Sequence, residues 1–137
     1  AHAALTLALA LTPADLELLS ERAMASLALD RPAEALADVE QVVVADASLA
    51  EAWIIRASAL RRLERLAPAA ESVAQALRLE ADNVEALLER GIIRQAQGDA
   101  SGARTDWERV IELMPDGAAA DLAAQNMALI EAGPARR

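Results

Sequence analysis

Few residues in this chain are equipped for chemistry. The one histidine is His2, and there is no cysteine, tyrosine or lysine. Hydrolase triads, thiolate attack, Schiff bases and His or Cys metal sites therefore lack the side chains that build them. Carboxylates are plentiful, but a pair such as Glu108 and Glu112 has the i, i+4 spacing of a solvated helical stripe, with no opposing acid and base. The stretch GDASG at 98–102 has two glycines but not the lysine of a phosphate loop. The inventory points away from an enzyme and calls for no cofactor and no metal.

All 13 basic residues are arginine, and the net charge is −9. A surface that grips a nucleic-acid backbone needs clustered positive charge, so no nucleic-acid partner is expected. Zero cysteine excludes a disulfide framework. With two Trp, no Phe and about a quarter of the residues Ala, the core must be built from small and aliphatic side chains, most of them good helix formers. The fold class expected is all-α.

The arginines are periodic. Arg22, Arg56 and Arg90 recur every 34 residues, and the same step aligns further columns. A bulky apolar residue stands three positions before each (Leu19, Trp53, Leu87) and a small one just after (Ala23, Ala57, Gly91). Later come Ala35, Ala69 and Ala103, then Val39, Val73 and Trp107, then Val42, Ala76 and Val110. Small residues where two antiparallel helices cross, flanked by larger ones at helical spacing, describe a helical hairpin. Gly98 suits a left-handed helix end and Pro32 a first helical turn, while Pro115 breaks a helix and Asp116 is placed to cap the next. Sixteen residues after each arginine come Asp38, Ser72 and Asp106. In antiparallel packing this predicts ion pairs Arg22–Asp38 and Arg90–Asp106, leaving Arg56 with Ser72 or a neighbour.

These columns resemble the tetratricopeptide repeat family, bacterial type. Trp53, Gly91, Gly98, Ala69, Ala103, Trp107 and Pro115 fall where that family places Trp, Gly, Gly, Ala, Ala, a large aromatic and Pro, and the resemblance covers residues 16–117. Departures are Glu64 for the turn glycine, and Ala47 and Ala81 for the closing proline. The resemblance implies a right-handed α-α solenoid, divided as 1–15 (second helix of a truncated repeat), repeats 16–49, 50–83 and 84–117, a capping helix 118–132 and a tail 133–137. In the capping helix, Leu122, Asn126, Leu129 and Ile130 form one stripe. Gly133 and Pro134 stop it before the basic pair Arg136 and Arg137.

The resemblance further implies a concave groove lined by the first helix of each repeat, binding a protein, as a peptide or a helix. Its candidate lining is Glu17, Ser20, Met24, Leu27 and Ala28; Glu51, Ile54, Ser58, Arg61 and Arg62; and Glu85, Leu88, Ile92, Gln95 and Ala96. The family's clamp for carboxylate-terminated chaperone peptides uses Lys and Asn, and this chain has no Lys. The groove so read has an acidic rim (Glu17, Glu51, Glu85), an apolar floor and a basic spot (Arg61, Arg62), suited to an apolar or amphipathic segment of some basic character. Glutamates in a first turn also simply favour the helix dipole.

The opening AHAALTLALALTPAD is too short to span a membrane and has no basic segment before it, so neither membrane insertion nor a targeting segment is expected. In the repeat register, Ala1, Leu5, Ala8 and Pro13 take the columns of Ala103, Trp107, Ala76 and Pro115, which reads as a cut edge. The expected function is a protein–protein scaffold or adaptor without catalysis. Two other readings stand: an arm of a larger enzyme or cell-envelope assembly complex, and a module that self-associates through the apolar first helix. Bacterial cytoplasm and periplasm both remain open.

Overall fold

The computed structural model describes residues 1–12 and 15–132. Pro13, Gly133, Pro134, Arg136 and Arg137, read above as helix stops and a basic tail, lie outside the described residues. Within them are eight helices: α1 His2–Leu11, α2 Leu16–Ala28, α3 Pro32–Ala45, α4 Ala50–Arg62, α5 Leu66–Leu79, α6 Val84–Ala96, α7 Ala100–Leu113 and α8 Ala118–Ala132. From α2 onward the odd and even helices each recur at the 34-residue step of the arginines.

Local chemistry sets the boundaries. The side chains of Asp15, Asn83 and Asp99 accept from the backbone N–H of Leu18, Ala86 and Gly102 at 3.1, 3.0 and 2.8 Å, capping α2, α6 and α7. Before α4 there is no side-chain cap; Asp46 instead accepts from the N–H and hydroxyl of Ser48, which hold its carboxyl below the usual range. The Trp53 indole donates to the Ala47 carbonyl at 2.9 Å, tying the same turn to α4.

Each hairpin turn closes in one way. The N–H groups of Arg31, Arg65 and Asp99 reach back to the carbonyls of Ser26, Leu60 and Arg94 at 2.8, 2.9 and 2.8 Å. The residue before each is left-handed: Asp30 at φ 55°, Glu64 at 62° and Gly98 at 89°. Glu64 therefore replaces the turn glycine without moving the helix boundary, at the conformational cost of a side chain in that region. Asp116 does not cap α8: the carbonyl that opens the helix is that of Gly117, accepting from Asp121 N–H at 3.2 Å, so Asp116 stands one residue too early.

The hairpins close on their small columns. Ala23, Ala57, Ala35, Ala69, Ala103, Val39, Val73, Trp107, Val42, Ala76 and Val110 are all fully buried. Val at positions 39 and 73 faces a repeat that has Ala at 23 and 57, whereas Trp107 faces Gly91. A Cβ on Gly91 would overlap the indole nitrogen and stand 2.7 Å from Cδ1 and Cε2. The glycine is the space the tryptophan occupies, and Trp107 is held there by donating to the Leu88 carbonyl at 3.2 Å.

The even helices α2, α4, α6 and α8 pack side by side, and each odd helix packs on the even helices next to it in sequence, but no comparable contact joins α3 to α5 or α5 to α7. Helices touching on one side and splayed on the other curve the stack, with α2, α4, α6 and α8 lining the concave side. The result is an all-α solenoid. At one end α1 packs on α2, burying Leu9 and leaving Leu7 and Leu11 70% and 82% exposed. At the other, α8 covers α6 and α7 through Ala119, Ala123, Met127 and Ile130. Of the stripe expected on α8, Ile130 packs on the core and Asn126 is half-buried, whereas Leu122 and Leu129 are exposed, because the close approach to α6 selects the alanine face. Asp121, Ala124 and Gln125 occupy the columns of Leu87, Arg90 and Gly91. α8 therefore has neither anchor, cation nor small residue with which the other even helices receive the next helix.

Candidate peptide-binding groove

The recurring arginines turn out to be internal ties. Arg22 donates through Nε and Nη2 to both carboxylate oxygens of Asp38, each at 2.7 Å. The hydrogen bonds to Asp38 outweigh partial burial and push this guanidinium above its ordinary value. Arg90 grips Asp106 in the same two-pronged way at 3.0 and 2.8 Å, and Arg94 adds a third bond at 3.0 Å. In the middle repeat, where Ser72 replaces the aspartate, Arg56 donates to Ser72 at 2.6 Å and to Glu40 of the preceding repeat at 2.5 Å, and lies 5.8 Å from the Trp53 ring centroid. The column joins α2 to α3, α4 to α5 and α6 to α7, away from the concave face.

On that face the candidate lining divides. Glu17, Glu51 and Glu85 are exposed in the first turns of α2, α4 and α6, as are Met24, Ala28, Arg62, Gln95 and Ala96; Ser20, Leu27, Ile54, Ser58 and Ile92 are half-buried. Two assignments need correcting. Leu88 is 7% exposed, buried beneath α8 with Trp107, and cannot form a floor open to a ligand. Arg61 is bound to Glu89 of α6, and Arg62 donates to the Leu27 carbonyl of α2 at 2.6 Å. The basic spot thus consists of two clamps between neighbouring even helices, because superhelical packing brings the C-terminal turn of each against the next.

The sequence reading missed Glu21, Leu16 and Leu49. Together with Glu17, Ser20, Glu51 and Ala52 they line a cleft between the N-terminal parts of α2 and α4. Glu21 could have been found from its i+4 spacing to Glu17, which puts both on one helix face. A second cleft lies between the C-terminal parts of α4 and α6, lined by Arg61, Glu64, Leu66, Ile92 and Ala96. Among the described residues, Glu17, Glu21, Glu51 and Glu85 have no ion-pair or hydrogen-bonding side-chain partner. Nor is any group of three or more His, Cys, Asp or Glu arranged to hold a metal there, and no described helix is long and apolar enough to cross a membrane.

No protein-family model and no curated protein matches the sequence. Solved structures do. The first tetratricopeptide domain of Spaghetti (RPAP3), solved with the HSP90 peptide SRMEEVD, superimposes with a TM-score of 0.73 at 26% identity, over 85% of this chain and 93% of that one. The TPR domain of Arabidopsis OM64 gives 0.73 at 21% identity over 82% and 93%. MamA gives 0.74 at 22% identity over 95% and 78%. The 34-residue hairpins, their small columns and these structural likenesses together show that the chain has the tetratricopeptide-repeat fold.

Proposed function

We propose that this is a protein-interaction module that holds a peptide or helix of its partner on the concave face of α2, α4 and α6 and performs no chemistry itself. One observation carries the reading. The arginines that recur at the 34-residue step are engaged inside the hairpins, whereas Glu17, Glu21, Glu51 and Glu85 are exposed and have no side-chain partner among the described residues, beside half-buried Ser20, Leu27, Ser58 and Ile92. Surface that the fold does not use, in a concavity with both apolar and charged groups, has the character of a recognition site. The peptide complex of the RPAP3 domain supports the same use of this fold.

The test is site-specific photocrosslinking in extracts of the source cells, from Met24 or Ser58 on the concave side and from Gln41 or Thr105 on the opposite side. The reading expects a discrete adduct from the first pair that the second pair does not give. Equal adducts from both sides would rule the groove out.

A self-associating module is the second reading, favoured by Leu7 and Leu11 of α1, whose exposure leaves two large apolar side chains in water. Light scattering on the wild type and on a chain lacking residues 1–11 separates the two. A dimer lost on truncation supports association through α1, and a monomer in both excludes it.

A further inference from the structure

Building on the groove reading, we propose that the occupant carries a Lys or Arg side chain seated between α2 and α4, and an aliphatic side chain seated between α4 and α6. In the first cleft the half-buried Leu16 and the 38% exposed Leu49 offer an apolar wall to a side-chain stem. Glu17, Glu21 and Glu51 surround its mouth with three carboxylates that no cationic side chain of the described residues pairs with. A long cationic side chain matches both parts, burying its methylenes and keeping its head among the carboxylates.

The second cleft is walled by Leu66, Ile92 and Ala96. Arg61, at its edge, is already neutralised by Glu89, so this end holds no free cation for an acidic ligand. Every arginine of α2, α4 and α6 is engaged: Arg22, Arg56, Arg61, Arg90 and Arg94 with carboxylates, and Arg62 with a backbone carbonyl. The groove's charge is therefore opposite to what an acidic peptide such as SRMEEVD requires, and the chain's net −9 acts in the same direction at long range.

Geometry fixes the spacing of the two anchors. From Glu51 to Arg61 along α4 is about 15 Å, and the clefts lie on either side of that helix, about 9 Å apart laterally. A diagonal of about 17 Å corresponds to about five residues of extended chain.

The experiment is selection of a displayed random-peptide library on the whole chain, on Glu17→Gln/Glu21→Gln/Glu51→Gln and on Ser58→Trp, each checked for helicity by circular dichroism. The expected peptides have Lys or Arg about five positions from Leu, Ile or Val. By fluorescence anisotropy a synthetic copy should lose about ten-fold or more in affinity on the triple variant at low salt. It should also fail on Ser58→Trp, and SRMEEVD should not bind. Peptides that fail on Ser58→Trp but are acidic or neutral, or whose affinity the triple variant leaves unchanged, overturn the basic anchor while keeping the groove. Basic peptides that bind Ser58→Trp as well as wild type, or a library that yields no binder, overturn the groove itself.

Discussion

Gly91→Ala should destabilise this protein, although in an exposed helix the same change would stabilise it. Ala gains about 1 kcal/mol over Gly in a helix interior. Against that, the new Cβ would stand 2.7 Å from Cδ1 and Cε2 of Trp107, well inside the roughly 3.5 Å at which carbon atoms pack comfortably. Trp107 is fully buried, so the ring has no free volume to move into. Overpacking of this kind costs about 1–3 kcal/mol. A shifted ring would also weaken its 3.2 Å bond to the Leu88 carbonyl, costing about another 1 kcal/mol. The net loss is about 1–3 kcal/mol, which for a domain of this size lowers Tm by about 3–10 °C. Trp107→Val alone should cost about 3–4 kcal/mol by leaving a cavity. The double variant recreates the Ala–Val pairing of the first two repeats, so it should be more stable than the two losses together imply by about 2 kcal/mol. Urea unfolding followed by far-UV circular dichroism reads all four proteins. A more stable Gly91→Ala, or strictly additive losses, would refute the claim that glycine and tryptophan share one space.

Asp106→Ala leaves Arg90 and Arg94 without their shared acceptor and should cost about 2–3 kcal/mol, discounted because both arginines are about a third exposed; a double-mutant cycle of Arg90 and Asp106 with a coupling of zero would dismiss the tie. Glu64→Gly relieves a left-handed side chain at φ 62° and should stabilise by about 0.5–1 kcal/mol in urea unfolding, a loss showing that Glu64 has a role beyond the turn. Ser26→Ala removes a fully buried hydroxyl that has no hydrogen-bond partner and should be neutral or stabilising by about 1 kcal/mol in thermal unfolding, whereas a clear loss would mean that the hydroxyl is satisfied.

The features legible in the sequence are those that one hairpin determines by itself. The columns around Ala23, Ala35 and Val39 could be read because small residues must recur where two helices cross, and the Arg22–Asp38 and Arg90–Asp106 ties because a fixed antiparallel register holds their partners sixteen residues apart. What could not be read depends on how hairpins sit on one another. Arg61–Glu89 links α4 to α6 and Arg56–Glu40 links α4 to α3, and both arise from the superhelical angle, which the repeat spacing does not encode. The burial of Leu88 follows from where α8 lands. On α8 itself the stripe of Leu122, Asn126, Leu129 and Ile130 does not say which members face inward; close packing chose Ala119 and Ala123 with Ile130, so Leu122 and Leu129 face outward. At Glu64 residue type alone misleads, because the hydrogen bonds that close the turn impose the left-handed conformation whether or not glycine is present.

The most direct test of a recognition surface on the concave side is an amide NMR titration of the assigned protein with a peptide selected on it. The account predicts that the shifts concentrate on Glu17, Met24, Glu51 and Ser58 and their neighbours on α2, α4 and α6, while Gln41, Glu71 and Thr105 on α3, α5 and α7 stay unmoved. Saturable shifts concentrated on α3, α5 and α7 would contradict it.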